Sequence, residues 1–259
     1  MISSLQNPLV KYLTKLKHKS SFRKKEKKFV AEGITEIKRA LEADFEPEKI
    51  IICPSILNDR QMLNHISPSK IIEVDKKVYE HLAYRGGTEG MMLLGRQKEF
   101  TELSDCQSPD GLILVAERIQ KPGNIGALLR TTDAVGTDCV IFIDPQTDLY
   151  NPNVIRSSLG TVFTQRISIT NLDRFIRFKQ QARMKLFAAT LQNSNIYWNE
   201  NYLGTVAIAV GAEHEGLSEK MREIADKNIY IPMNGTADSL NVSVSAAVIL
   251  YEALRQRSH

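Results

Sequence analysis

Residues Gly111–Ile143 read GLILVAERIQKPGNIGALLRTTDAVGTDCVIFI, and the apolar pattern of this stretch decides the fold. GLILVAERI is a nearly continuous apolar run of strand length, and CVIFI is a second. IGALLRTTDAV between them has helical composition. A strand, a helix and a strand in about thirty residues make a βαβ unit. Strands that are apolar throughout, without alternation, are covered on both faces, which is the condition of a parallel sheet.

The same pattern continues downstream. QRISIT, KLFAATL, TVAIAVG and NIYIP are further short strands. VIRSSLG, LDRFIRFKQQA, SEKMREIAD and VSVSAAVILYEALRQR are helical stretches among them. The expectation is a mostly parallel α/β domain over residues 108–259. Upstream, residues 98–107 have the polar composition of a linker. Before them, FVAEG, EKIIIC, KIIEV and GMMLLGRQ alternate with helical ITEIKRALEA, DRQMLNHI and KKVYEHLA, a smaller α/β domain over residues 28–97. Residues 1–27 form a basic arm whose helix, from about Pro8 to Lys19, carries Leu9, Tyr12, Leu13 and Leu16 on one face. A chain of 259 residues accommodates two such domains.

Charge is distributed unevenly. Residues 1–28 hold nine Lys/Arg and one acid, Glu26, a local +8 in a chain whose net charge is +4. The rest is therefore −4. A local basic patch suits a polyanion, and Arg23, Lys24, Lys25, Lys27 and Lys28 are candidate phosphate contacts. Cys53, Cys106 and Cys139 are widely spaced and are expected as three reduced thiols, with no metal-ligand spacing. No apolar run reaches the length of a membrane span and no signal-peptide core is visible, so a cytoplasmic protein is expected.

Ligands of such sheets bind where loops leave the carboxyl ends of strands. Three loops have the composition of a site: QKPGNIGALLR, AVGAEHEGLSE and IPMNGTADSLNVS. Each joins glycine to polar residues and then opens a helix, whose first N–H groups are unpaired. Their motifs are Pro122-Gly123-Asn124-Ile125-Gly126-Ala127-Leu128-Leu129-Arg130, Gly211-Ala212-Glu213-His214-Glu215-Gly216-Leu217, and Ile231-Pro232-Met233 followed by Ser239-Leu240-Asn241-Val242-Ser243. Taken in this order, they resemble the motifs of the SpoU (TrmH-type) branch of the SPOUT RNA methyltransferases. Tyr150–Gly160, YNPNVIRSSLG, is similar to a further segment of that family. One departure is Lys121, where an acid often precedes the proline.

The resemblance implies a deep trefoil knot in the C-terminal domain, a homodimer formed through that domain, and an N-terminal domain that binds RNA and is similar to certain ribosomal proteins. It implies transfer of a methyl group from S-adenosylmethionine to a ribose 2′-hydroxyl, with ribosomal RNA favoured over transfer RNA. Methylation of a base, and RNA binding without catalysis, are the competing readings. The residues that match the family's catalytic positions are Arg130, Asn124, Glu213, Ser239 and Asn241. Leu191, Val210, Gly211, Gly216, Ile231, Met233, Leu240 and Asn241 match its cofactor positions.

Arg130 is expected at the ribose hydroxyl, also as an RNA contact. A guanidinium stays protonated at neutral pH, its pKa being above ~12. Arg130 either loses a proton in an unusual environment or stays charged and stabilises the forming alkoxide, and the second is the better physical reading. Asn124 is expected to cap its helix or position RNA. Glu213 is expected to orient Arg130 or the substrate, or else to cap the helix near Ser218. Ser239 and Asn241 are expected to hydrogen-bond the ribose or the cofactor carboxylate, and Ser239 is equally a candidate cap of the last helix. His214 reads as a loop residue, and Tyr197, Trp198 and Tyr202 as a packing or lid cluster.

Overall fold

The computed structural model describes residues 1–84, 89–213 and 215–258. A first unit comprises Met1–Glu99 and Asp148–Thr164. It opens with α1 (Pro8–His18), where the Asn7 side chain accepts the Leu9 N–H at 2.9 Å and Pro8 occupies the first turn. α1 buries Val10, Leu13 and Leu16 in a core with Val30, Ile51, Val78 and Tyr79. The helix is thus packed: Leu9 and Tyr12 lie partly buried against the same core, Val10 joins the expected face, and Lys11 and Lys15 stay exposed. α2 (Ser20–Glu26), β1 (Lys28–Glu32), α3 (Ile34–Glu42), β2 (Pro47–Ile52), β3 (Ile71–Glu73), α4 (Lys76–Leu82) and β4 (Met91–Arg96) follow. The strands form a mixed sheet in the order β1-β4-β2-β3. The helix expected from DRQMLNHI is only a 3-10 turn, Gln61–His65. None of its residues is buried, so no apolar face holds a longer helix in place.

The segment Asp148–Thr164, with α6 (Pro152–Ser157), belongs to this first unit, although its sequence groups it with the later strands. Tyr150 and Phe163 join Phe29 and Phe45 in an aromatic cluster with ring centroids 4.9 to 6.3 Å apart. Arg23 is 1% exposed, and its Nε donates to Asp148 Oδ2 at 2.6 Å. Its other donors reach the carbonyls of Leu16 (2.7 Å) and Lys17 (3.1 Å). This corrects the reading of Arg23 as an RNA contact, because its guanidinium is consumed inside the protein.

The second unit comprises Phe100–Thr147 and Gln165–His259. It contains β5 (Leu112–Glu117), α5 (Pro122–Val135), β6 (Cys139–Ile143), β7 (Ile167–Thr170), α7 (Leu172–Ala182), β8 (Lys185–Ala189), β9 (Asn195–Ile196), β10 (Val206–Val210), α8 (Glu219–Ile224), β11 (Lys227–Tyr230) and α9 (Val242–Arg257). Among the described residues the sheet has seven strands in the order β7-β6-β5-β10-β8-β11-β9, all paired in parallel. Every residue of β5, β6 and β10 is buried, as the unbroken apolar runs require. Each buried Val, Ile or Leu contributes about 1.5–3 kcal/mol.

Two expectations change in this unit. Leu103 and Cys106 of the expected linker are buried in the core, and Cys106 is disulfide-bonded to Cys139 across a Cα separation of 5.4 Å. Only Cys53 is a free thiol, and it is buried. The two-residue β9 was too short to carry a periodic signal.

Candidate active site

The topology sets the site. β6 and β7 lie on one side of β5, and β10, β8, β11 and β9 on the other. Strand order therefore reverses between β5 and β10, and the loops leaving their carboxyl ends open a crevice. The first of the three motif loops follows β5, the second β10, and the third β11.

Pro122 occupies the first position of α5, where its missing N–H would have had no partner and its φ suits a helix. α5 therefore begins before Asn124, which lies in the first turn and does not cap it. Gly136, at φ 75°, ends the helix in the left-handed region. Arg130 sits six residues beyond Asn124, roughly 9 Å along the axis and 120° around it. It is exposed, and among the described residues its side chain makes no hydrogen bond or ion pair.

The loop after β10 folds back on itself. Gly216 donates its N–H to the carbonyl of Ala212 at 2.8 Å and has φ 65°. A Cβ on Gly211 would meet the Gly216 carbonyl carbon at 2.2 Å, so only glycine fits there. α8 is capped by Ser218, whose Oγ accepts the Met221 N–H at 3.2 Å. The Ser218 N–H and hydroxyl donate to the Glu117 carboxylate at 2.8 and 2.7 Å. Glu117, 1% exposed at the end of β5, was missed from sequence. Its signal was an acid closing an otherwise apolar strand.

Glu213 caps nothing and does not pair with Arg130. Its Oε2 receives the Lys121 ammonium in an ion pair, with the Glu213 side chain 18% and that of Lys121 64% exposed. The competing partner is therefore the residue that departs from the family pattern. Glu213 Oε1 and Asn124 Nδ2 are buried without a hydrogen-bond partner among the described residues. Both atoms' residues line a small niche with Ile119, Gln120 and Lys121. Asn241 Nδ2 donates to Asn124 Oδ1 at 3.2 Å. Asn241 also caps α9, accepting the Ser243 N–H at 3.0 Å and its hydroxyl at 2.7 Å. The cap of the last helix is thus Asn241 and not Ser239.

A cavity of about 290 Å³ opens at the carboxyl ends of β10, β8 and β11. Leu191, Val210, Gly211, Gly216, Ile231, Met233, Leu240 and Ser239 all line it, as does Glu213. Asn241 and Arg130 do not. The structure thus brings Asn124, Glu213 and Asn241 together, and the Arg130 side chain bonds to none of the three. Tyr202 is fully buried, with its hydroxyl donating to the Tyr197 carbonyl at 2.7 Å, while Trp198 is half exposed. His214 lies outside the described residues.

The expected RNA contacts of the first unit differ among themselves. Lys24 and Lys25 are exposed, and Lys27 pairs at the surface with Glu99 at 3.2 Å. Lys28 is held by Glu48 at 2.7 Å. Partial burial opposes its charge, but the Glu48 carboxylate outweighs this and raises its pKa above the ordinary lysine value.

Comparison with known proteins agrees with this geometry. Residues 111–251 match the SpoU rRNA Methylase family, and residues 7–93 match the MRM3-like substrate binding domain. The 23S rRNA (guanosine(2553)-2′-O)-methyltransferase RlmP of Bacillus subtilis is 34% identical over 54% of this chain, which spans 56% of that protein's length. A solved RNA 2′-O ribose methyltransferase is 40% identical, with a TM-score of 0.87 over 100% of this chain and 99% of that one. An AdoMet-bound rRNA methyltransferase from Sinorhizobium meliloti is 27% identical, with a TM-score of 0.89 over 98% and 97%. With its three motif loops at the carboxyl ends of a parallel sheet, this chain belongs to the SpoU rRNA methylase family.

Proposed function

We propose that this protein transfers a methyl group from S-adenosylmethionine to a ribose 2′-hydroxyl of ribosomal RNA. The observation that carries the reading is that the second and third motif loops line one cavity, while the first is bonded to both of them through the Lys121–Glu213 and Asn124–Asn241 contacts. The cavity fits the cofactor. Its walls are apolar at Leu191, Val210, Ile231, Met233 and Leu240, and Ser239 and Glu213 supply polar atoms. The cofactor supplies an electrophilic methyl on a sulfonium, and the rest of the chemistry belongs to the protein.

Arg130 holds the ribose oxygen. Its exposed, protonated guanidinium has no internal partner to leave, so it is available to the alkoxide that forms as the hydroxyl proton departs. Asn124 and Asn241 fix the start of α9 against the first turn of α5, and Glu213 presents an acceptor between cavity and niche. Lys24 and Lys25 contact RNA phosphates.

The proposal extends to a homodimer and a knot. Val244 and Tyr251 are 46% and 50% exposed on α9, seven residues apart and so on one face, which a second copy of the chain would cover. The trefoil knot is implied by the family resemblance. No helix among the described residues is long and apolar enough to cross a membrane, and a cytoplasmic location is part of the proposal.

The test is methylation of bacterial ribosomal RNA with methyl-labelled S-adenosylmethionine, followed by digestion to nucleosides. Label in 2′-O-methylnucleosides is the expected outcome. Label on bases, or no incorporation, overturns it. Light scattering of the purified protein reads the oligomeric state separately.

A further inference from the structure

Two exposed cations at the start of the first motif loop are paired with acids of the second. Arg118 donates to Glu215 at 2.6 Å, with side chains 44% and 55% exposed. Lys121 pairs with Glu213. Together with the buried Glu117–Ser218 contact, the pairs run antiparallel: 117 with 218, 118 with 215, 121 with 213. The buried contact fixes the register of the two loops. The two charged pairs lie at the solvent edge.

Arg118 is held in an unusual conformation. Its φ is 55°, in the left-handed region, and its N–H donates to the Ile143 carbonyl at 2.8 Å. A non-glycine residue keeps such a conformation only where its surroundings impose it, and these positions gather at functional sites. Here the conformation aims a guanidinium across the crevice rather than along β5. Arg118 and Lys121 also stand immediately before α5, the helix that carries Arg130.

We propose that Arg118 and Lys121 form a binding site for RNA phosphates next to the reacting ribose, and that Glu215 and Glu213 occupy this site in the free protein. The inference rests on the proposed function, since it needs RNA at this crevice. The Arg118–Glu215 pair is exposed on both sides and therefore weak, and the Lys121 ammonium is itself 64% exposed and open to solvent, so a phosphodiester with its full charge and several acceptor oxygens competes with the carboxylates for both cations. Glu213 and Glu215 both line the cofactor cavity. Arrival of RNA therefore frees two carboxylates at the cavity wall and links phosphate binding to the cofactor site. An acid in place of Lys121 would repel Glu213 and leave no such exchange.

The experiment uses the full chain and a labelled in vitro transcript of 23S ribosomal RNA, with affinity measured against salt concentration. Arg118→Gln and Lys121→Gln are each expected to weaken binding about tenfold and to reduce the salt slope by about 1. Glu215→Gln releases Arg118 and is expected to tighten binding. Lys220→Gln is the charge control, since Lys220 pairs with Asp173 on a different part of the unit. It is expected to leave the slope unchanged.

Retention of the wild-type slope by both Arg118→Gln and Lys121→Gln overturns the proposal, as does an equal loss in Lys220→Gln. Weaker binding by Glu215→Gln also overturns it. Melting temperature and cofactor affinity of Arg118→Gln report whether the fold survives, and Arg118→Lys should restore much of the slope. If the wild type binds no RNA, the functional reading fails together with this one. If the wild type binds and methylates RNA while the two variants keep its slope, only the phosphate site fails.

Discussion

Asn241 Nδ2 donates to Asn124 Oδ1 at 3.2 Å, so the residue that caps α9 also grips the first turn of α5. The two residues are 117 positions apart in sequence. One side chain thus serves a local role, closing a helix end, and a tertiary one, holding the third motif loop against the first. Asn241→Ala removes both. The loss of the cap costs about 1 kcal/mol, which for a domain of this size lowers the melting temperature by about 2–4 °C. Asn241→Asp keeps the capping oxygen but loses the donor to Asn124. Methyl transfer is expected to fall in both variants, while calorimetry shows the stability loss mainly in Asn241→Ala.

The Arg130 side chain is exposed and makes no bond among the described residues, so its replacement should be nearly silent for folding. Arg130→Ala is expected to change stability by less than about 0.5 kcal/mol. Methyl transfer is expected to fall by about 10²–10³-fold, the scale of losing a donor to a forming oxyanion. Cofactor affinity, read by calorimetry, should be unchanged because Arg130 does not line the cavity. Full activity in Arg130→Ala would remove it from the mechanism.

Arg23 and its neighbours should separate cleanly. Arg23→Met leaves Asp148 buried without its cation and is expected to destabilise the protein by about 3–5 kcal/mol. Lys24 and Lys25 are exposed and make no side-chain bond among the described residues, so Lys24→Gln and Lys25→Gln should leave the denaturation midpoint in place. Each should reduce the salt slope of RNA binding by about 1. Urea titration and a binding series at several salt concentrations read the two effects separately.

Gly211 tests the second motif loop. Gly211→Ala places a methyl against the Gly216 backbone, which cannot retreat as a flexible side chain would. The loop must shift, and cofactor affinity is expected to drop by at least about tenfold, with a stability loss of about 1–3 kcal/mol. Unchanged affinity would mean that the tight fold of this loop is not needed for the cavity.

Glu36 provides a pH signature. Burial raises its pKa above the ordinary 4.5, and nearby Glu89 adds to the shift, while Arg156 and Arg39 oppose it. A carboxyl whose pKa is raised in the folded state contributes stability that is present below the unfolded pKa and lost as pH rises through the folded one. Glu36→Gln is therefore expected to raise the melting temperature at neutral pH. Its advantage should shrink as pH falls through the raised pKa toward 4.5. Melting curves across that range check the trend, and an advantage that grows in acid would contradict it.

Much of this protein was written in local sequence. The apolar runs of β5, β6 and β10 are buried throughout, and α7 and α9 span the stretches that their periodicity marks. Pro122 and Gly136 punctuate α5 by their own backbone chemistry. Seven cofactor positions inferred from the motifs line one cavity, because a loop at a strand end can only face the crevice into which it opens. Short elements were less legible. A two-residue strand has no period to detect, and DRQMLNHI has helical composition but nothing to pack against.

What the sequence by itself determined is the alternation of strands and helices, the parallel sheet and the loops that carry the site. What only the tertiary structure decided is how charged and polar side chains are partnered. Arg23 looks like any lysine-rich-arm cation in sequence, yet Asp148, 125 residues away, draws it inside. Glu213 meets Lys121 and not Arg130, and segment 148–164 leaves its sequence neighbours for the aromatic cluster of the first unit. Apolar burial follows a pattern repeated every few residues and can be read locally. A hydrogen bond or ion pair needs its partner within about 3–4 Å, and that distance exists only once the chain has folded.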